Sequence, residues 1–540
     1  MGVILRRDSL GDNHNMSNRK PLFTLLALWA VLALAFVPFA APVLAKPTPG
    51  WLAQAAAYEQ IDAYIQQQME HLNLSGAALA IVEGEQIAHL RAFGVARPGG
   101  GAPTPQSPFF IGSLTKSFTA LAVMQLVEAG KIELDAPVQR YLPWFKVADP
   151  QASAQITVRH LLNQTSGLSQ AVGMIPLANF AASPDAVERQ ARGLATYRPI
   201  RPAGSAWEYS NVNYNLLGLV IEAASGESYA SYIQDHIFTL LGMGHSHTSK
   251  AAALQDGLAV GYRSWFGVPI AAPDLPVPSG SLPSGQLIAS AEDMAHYLIA
   301  HLNGGRYGAG QVLSPQGIAA MHRPAVPADA MGIAMGAYGM GWFVEDTPQG
   351  TRVWHNGQVP DFFAYMALLP EHNRGMVLLV NTNQMMLNFA LEELGAGAAD
   401  LLAGAQPASF PWGVIPWMLR GFLLIPVMQI GGGVATLRRL RGWQRDPSVR
   451  PGRVRLWLLH ILLPIALNLV LVAFALGLLA TSLRPMILLF MPDLSWLFLI
   501  CGGFALVWIF VRTRLILRSS VMVPQTGPGR SWHGGNARRH

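Results

Sequence analysis

From Leu456 to Ala480 no side chain carries a formal charge. About 20 apolar residues cross the ~30 Å hydrocarbon layer of a bilayer as a helix. No water is present there to hydrogen-bond a free amide, so the helix must satisfy its own backbone. Two further apolar stretches accompany this one, at 412–437, interrupted by Pro416, Arg420 and Pro426, and at 494–511. These segments explain why only 13% of the chain is charged, against about 25% in an average soluble protein.

Charge is divided by region. Residues 46–410 carry 18 bases against 27 acids, whereas 411–540 carry 15 arginines against only Asp446 and Asp493. A nucleic-acid enzyme keeps its positive charge on the working domain, so no nucleic acid is expected as partner. The arginines instead cluster in the connection 438–455 and again at Arg512, Arg514 and Arg518, while 481–493 holds Arg484 against Asp493. Basic loops stay in the cytoplasm beside anionic headgroups. Three spans then put 46–410 on the extracytoplasmic side, with membrane lipid as a partner.

The N-terminal region gives the same orientation. Arg19-Lys20, the uncharged stretch 21–40 and Val43-Leu44-Ala45 have the three-part layout of a secretory signal peptide. Residues 1–45 read as that signal, with an uncleaved anchor as the alternative, and Met16 opens a compact basic segment of its own. Residues 46–405 form the expected exported domain, 406–518 a three-helix membrane region, and 519–540 a disordered tail. One cysteine, Cys501, excludes a disulfide framework or a multi-cysteine metal site, and its apolar surroundings suit packing.

Within 46–405 the pattern predicts a helix at 51–73, a strand–turn–strand over 76–96 about Glu83-Gly84-Glu85, and a helix from Ser113 that stops at Gly130. Further helices are expected at 155–168, 213–224 and 229–241. Strands follow at Tyr338–Val344, Arg352–His355, Phe362–Leu369 and Gly375–Val380, then a helix over 386–404. Strands at both ends with helices between them suggest an α/β domain with a helical insertion.

Ser113 and Lys116 stand one helical turn apart. A serine hydroxyl needs a base to become a nucleophile, and a lysine becomes one when burial and the positive end of a helix lower its pKa. Taken alone, Ser113 also fits a plain N-cap with Lys116 solvated. Yet lysine is scarce in this domain (46, 116, 131, 146 and 250), and the first turn of a helix ordinarily favours acids. Tyr209-Ser210-Asn211 could relay a proton through the phenol and hold a carbonyl through the amide, or be a turn before the next helix. Trp354-His355-Asn356-Gly357-Gln358 ends a predicted strand. Gly357 admits a close approach, and the Gln358 amide could share an oxyanion with that of Ser113. The alternative is an Asn-Gly hairpin turn.

In order and spacing, Ser113-Leu-Thr-Lys116, Tyr209-Ser-Asn211 and His355-Asn-Gly357 resemble the serine β-lactamase and penicillin-binding-protein superfamily, in its class C-like and esterase branch. The segments Ile156–Leu168, Asn213–Gly218, Leu241–Met243 and Tyr338–Trp342 are also similar to that branch, so the resemblance covers about 51–405. It implies a β-lactamase/transpeptidase-like fold, an antiparallel sheet flanked by helices plus a helical subdomain. It implies Ser113 as acylated nucleophile, Lys116 as its base, Tyr209 as proton relay, and Asn211, His355, Asn356, Gly357 and Gln358 at the substrate, with no cofactor and no metal.

The chain departs from the pattern at the third motif, where Lys-Thr-Gly is usual and no lysine follows Lys250. That favours ester, amide or peptide substrates over efficient β-lactam hydrolysis. No Gly-x-Ser-x-Gly elbow or phosphate loop is present, and His245-Ser-His247 reads as a loop. The alternative class is a penicillin-recognising sensor or cell-wall-binding ectodomain that does not turn over.

Overall fold

The computed structural model describes residues 50–521 apart from 175–182, 184, 275, 331, 409 and 410. The expected signal segment 1–45 and residues 522–540 of the expected tail lie outside the described residues. Helix α1 (Gly50–Leu72) leads into β1 (Gly76–Glu83) and β2 (Gln86–Gly94). The helical insertion includes α2 (Thr115–Glu128), α3 (Asn211–Ser225) and α4 (Ala291–Leu302). Six strands then close the sheet: β3 (Val326–Ala330), β4 (Ile333–Tyr338), β5 (Phe343–Thr347), β6 (Gly350–Val359), β7 (Phe362–Leu369) and β8 (Arg374–Val380). Helix α5 (Asn388–Leu402) follows.

The eight strands run in the order β2-β1-β8-β7-β6-β5-β4-β3. Every pairing is antiparallel. Successive side chains point to opposite faces of a sheet, and both faces here are covered. Ala78, Ala80 and Val82 of β1 enter the core shared with α2, α3 and α4. Ala77, Leu79 and Ile81 enter the core under α1 and α5. That double burial is why β1 and β7 read as unbroken apolar runs rather than as alternation. A fully buried leucine such as Leu79 contributes about 1.5–3 kcal/mol through the water it leaves.

Three expectations are corrected. The helix expected over 155–168 is only Val158–Leu162, because Gln164 (φ +58°) and Gly167 (φ +81°) turn the chain left-handed. The strand expected over Tyr338–Val344 is broken at 339–342 by the turn between β4, which ends at Tyr338, and β5, which starts at Phe343; Gly341 there has φ +84°. The strand expected to stop at His355 runs on to Val359. His355, Asn356, Gly357 and Gln358 are paired with Met366, Tyr365, Ala364 and Phe363, so the hairpin turns at Pro360-Asp361 instead of Asn356-Gly357.

Beyond the sheet come α6 (Val414–Gly421), α7 (Leu424–Arg445), α8 (Leu463–Ala480), the short α9 (Arg484–Phe490) and α10 (Pro492–Val521). Among the described residues three helices, Val414–Arg445, Arg453–Ala480 and Pro492–Ser519, are long and apolar enough to cross a membrane. Arg438, Arg439, Arg441 and Arg445 belong to the last turns of α7 rather than to a loop, and α10 carries the helix to Val521, past the expected boundary at 518.

Candidate active site

Residues Gly112–Leu114 form a single 3-10 turn that feeds α2. Helix α2 is apolar on nearly every side and almost wholly buried, as a helix without a solvent face must be. Lys116 in its first turn is fully buried. Its Nζ lies 2.9 Å from Ser113 Oγ, 2.8 Å from Asn211 Oδ1 and 2.6 Å from the Ser284 carbonyl oxygen. Among the described residues these partners are all neutral oxygens, and desolvation holds the amine well below its ordinary pKa. A neutral amine has two N–H donors and one lone pair. Asn211 and Ser284 take the donors, which leaves the lone pair facing the Ser113 hydroxyl.

Tyr209 completes this cluster. Its ring lies 4.8 Å from Lys116 Nζ, and burial raises the pKa of its phenol, with the Ser113 side chain acting in the opposite direction. The segment that carries it is fixed from below by Gln164, fully buried and missed by sequence reasoning. Gln164 accepts from the Ser210 amide at 3.0 Å and from Asn213 Nδ2 at 2.5 Å. Asn213 Oδ1 accepts in turn from Ser166 Oγ at 2.6 Å. Asn211 opens α3, so one helix start brings Tyr209 and Asn211 to Lys116, while the Ser210 hydroxyl donates to the Ser169 carbonyl at 3.0 Å.

Strand β6 passes directly over the 3-10 turn. A methyl built on Gly357 would lie 2.0 Å from the Ile111 carbonyl oxygen and 3.1 Å from the Ser113 nitrogen; one built on Gly112 (φ +55°) would lie 2.4 Å from the Gln358 nitrogen. Only two glycines allow this contact, which brings the Ser113 and Gln358 amides together. Gly112 is a second residue that sequence reasoning missed.

His355 is fully buried. Its Nδ1 stands 2.5 Å from the Asn356 carbonyl oxygen, which can only accept, so Nδ1 carries the hydrogen and Nε2 accepts from the Tyr338 hydroxyl at 3.3 Å. Burial, reinforced by Lys116, pushes its pKa down to about 3. The imidazole is neutral. Asn356, expected at the substrate, is not brought to the cluster. It points to the opposite face of the sheet, where Nδ2 donates to Glu392 at 3.2 Å, and burial pushes that carboxyl up to about 7. The side chain of Gln358 shares this direction, so only its backbone faces Ser113. His245 and His247 both bond Asp256, at 3.1 and 2.8 Å, in a loop away from this cluster.

Beyond Gln286 and Val359 lies a cavity of about 260 Å3 with mostly apolar walls, among them Phe110, Leu254 and Val277, and with Lys250 and Asp274 also in its lining.

A family model described as Beta-lactamase matches residues 61–399. The chain belongs to the β-lactamase family. Within the wider superfamily of serine β-lactamases and penicillin-binding proteins, this β-lactamase-family chain is similar to Penicillin-binding protein 4 of Amycolatopsis lactamdurans, 32% identical over 62% of this chain and 88% of that one. It is 28% identical to Protein flp of Staphylococcus aureus over 62% of its own length, and spans 65% of that protein. Among solved structures it is similar to the octameric penicillin-binding protein homologue of Pyrococcus abyssi, with TM-score 0.56 and 27% identity over 65% of this chain and 78% of that one. EstCE1, a hydrolase with promiscuous acyltransferase activity, shares the fold at TM-score 0.52 and 22% identity, over 61% and 95% of the two chains.

Proposed function

We propose that this β-lactamase-family protein is a membrane-anchored, extracytoplasmic serine hydrolase that works through an acyl-enzyme at Ser113 on uncharged ester or amide substrates. The observation that carries the reading is the buried Lys116 amine, bonded among the described residues to Ser113 and to neutral oxygens. Desolvation favours the neutral amine, which is the form that can accept the Ser113 proton.

In acylation Ser113 Oγ attacks the substrate carbonyl carbon and passes its proton to Lys116 Nζ. The Ser113 and Gln358 amides receive the developing oxyanion; loss of one such donor costs about 10²–10³ in rate. Collapse of the intermediate breaks the ester or amide bond, and the Tyr209 hydroxyl hands a proton to the leaving group, replenished from Lys116. Water then repeats the sequence on the acyl-enzyme, which releases the acid and restores Ser113. The uncharged substrate follows from His355: a neutral imidazole offers no cation to a substrate carboxylate, and the nearby cavity is mostly apolar.

The proposed orientation is supported by the arginines clustered at the end of α7, because basic segments stay in the cytoplasm, and by the contact of Asp493, at the start of α10, with Phe266 of the catalytic domain.

The test is labelling of the full chain by a fluorophosphonate probe, followed by a screen against p-nitrophenyl esters, a chromogenic cephalosporin and a D-Ala-D-Ala peptide. Wild type labels and Ser113→Ala does not, with ester turnover above cephalosporin turnover. Undiminished labelling of Ser113→Ala overturns the mechanism, and labelling without turnover of any substrate favours the sensor.

A further inference from the structure

The short strands Tyr262–Trp265 and Val268–Ala271 form a hairpin whose turn, Phe266-Gly267, reaches into the membrane helices. Asp493, buried in the first turn of α10, accepts from the Phe266 amide at 2.9 Å and from Gln384 Nε2 at 3.3 Å. From α6, Arg420 Nη2 donates to the Gly267 carbonyl oxygen at 3.3 Å. A methyl on Gly267 (φ +76°) would lie 2.7 Å from Pro416. Two of the three apolar helices thus grip one turn of the catalytic domain.

The other end of the same hairpin grips the active-site strand. Arg263 donates from Nε and Nη2 to both carboxylate oxygens of Asp361, at 2.7 and 2.8 Å, with both residues buried. Beside Arg263 in the parallel pairing stands Asn383, whose Nδ2 donates to the Val359 carbonyl oxygen at 2.9 Å. Asp361 (φ +72°) closes the turn after β6, and Val359 is the residue after Gln358. Two routes thus join α10 to the neighbour of the oxyanion amide. The short one runs through Gln384, the adjacent Asn383 and the Val359 carbonyl, with both hydrogen bonds buried. The longer one runs through the part-buried Phe266 contact, the hairpin backbone back to Arg263 and the buried Arg263–Asp361 pair.

We infer that Asp493 is a positioning residue for the reaction: through the hairpin 262–271 and the pair Arg263–Asp361 it holds the end of β6, and so the Gln358 amide, in register over Ser113. The membrane helices are then a working part of the catalytic domain as well as its anchor. The inference rests on the role given to Gln358 in the proposed function.

The full chain is compared in phosphatidylcholine vesicles as wild type, Asp493→Ala and Asp493→Asn. A loosened oxyanion donor lowers kcat by about tenfold in Asp493→Ala, part of the loss expected for removing such a donor outright, with KM within twofold. Asp493→Asn keeps an accepting oxygen and restores kcat to within about threefold. By mass spectrometry, deuterium uptake rises at 260–267 and 355–363 and is unchanged across α2. If Asp493→Ala fails to fold, Gln384→Ala gives the same pattern at about threefold. An unchanged kcat, a change in KM alone, or uptake spread evenly through the domain overturns the inference. A wild type that labels normally at Ser113 while Asp493→Ala matches it in rate breaks this inference only; a wild type that fails to label breaks the enzymatic reading beneath it.

Discussion

Lys116 and Arg263 are both buried cationic side chains of one domain, yet their surroundings differ. Arg263 meets a carboxylate on two parallel hydrogen bonds, the geometry in which a guanidinium keeps its charge out of water. Lys116 meets a serine hydroxyl, an amide oxygen and a backbone carbonyl. Arg263 remains a cation and holds two elements together, while Lys116 is driven toward the neutral form and becomes a base. The compensating charge separates a structural cation from a chemical one.

The contrast breaks most directly at Lys116. Lys116→Met is expected to lower kcat/KM by about 10²–10⁴, the span of a lost general base, while the melting temperature holds or rises because no buried charge is left unpaired. A large loss of stability in this variant would mean that the amine is charged and structural. Arg263→Met should do the reverse. Removal of one partner of a buried pair costs about 3–5 kcal/mol, read as a fall in thermal midpoint, and replacement of Asp361 as well should recover much of it.

The pH dependence sharpens the same contrast. Only neutral Lys116 can take the Ser113 proton, so kcat/KM rises with pH through the depressed lysine pKa and falls on the acid side. His355 contributes no limb near its ordinary 6.5, and His355→Asn is expected to leave the acid limb in place. Stability carries the histidine signature instead. With folded pKa values of about 3 for His355 and about 4 for His322, the unfolded chain binds more protons below about pH 6.5. Stability is therefore full above that pH and declines toward pH 3, and the decline flattens in His355→Asn, measured by tryptophan fluorescence melts. The smallest effect belongs to Asn356→Ala: kcat/KM within about threefold, and about 1–3 kcal/mol lost as the buried Glu392 carboxyl loses its donor; a larger kinetic defect would mean that the back face of β6 acts at the substrate.

The sequence was informative where chemistry and local pattern coincide. Ser113, Lys116, Tyr209 and Asn211 were legible because few residue types can activate a hydroxyl, and the structure brings these four together. Strands β1, β7 and β8 were legible from their apolar runs, and β2 from the turn Glu83-Gly84-Glu85 that joins it to β1. The turn at Gly339–Trp342 was not, because its aromatic and apolar residues imitate a strand while Gly341 packs its backbone on Ser117. Gly112, Gln164 and the Ser284 carbonyl were invisible for a related reason: each acts through backbone geometry or a tertiary contact that no side-chain pattern announces. The direction of Asn356 was within reach. With His355 and Gly357 turned toward Ser113, the pleat alone sends the residue between them to the other side.

The pairing of β1 with β8, Ala77 against Val380, also sets a timetable. During synthesis the hairpin β1–β2 emerges early and carries an unpaired edge that is apolar except for Glu83, the kind that recruits other chains. Its rightful partner appears only after the entire helical insertion and five further strands of the sheet have been made. Contacts so distant along the chain close slowly. Soon after β8 is complete the first apolar helix, Val414–Arg445, follows it. The last closure of the sheet therefore comes just before a segment apolar enough for lipid is made, and a chain stalled at that point exposes its least soluble edge.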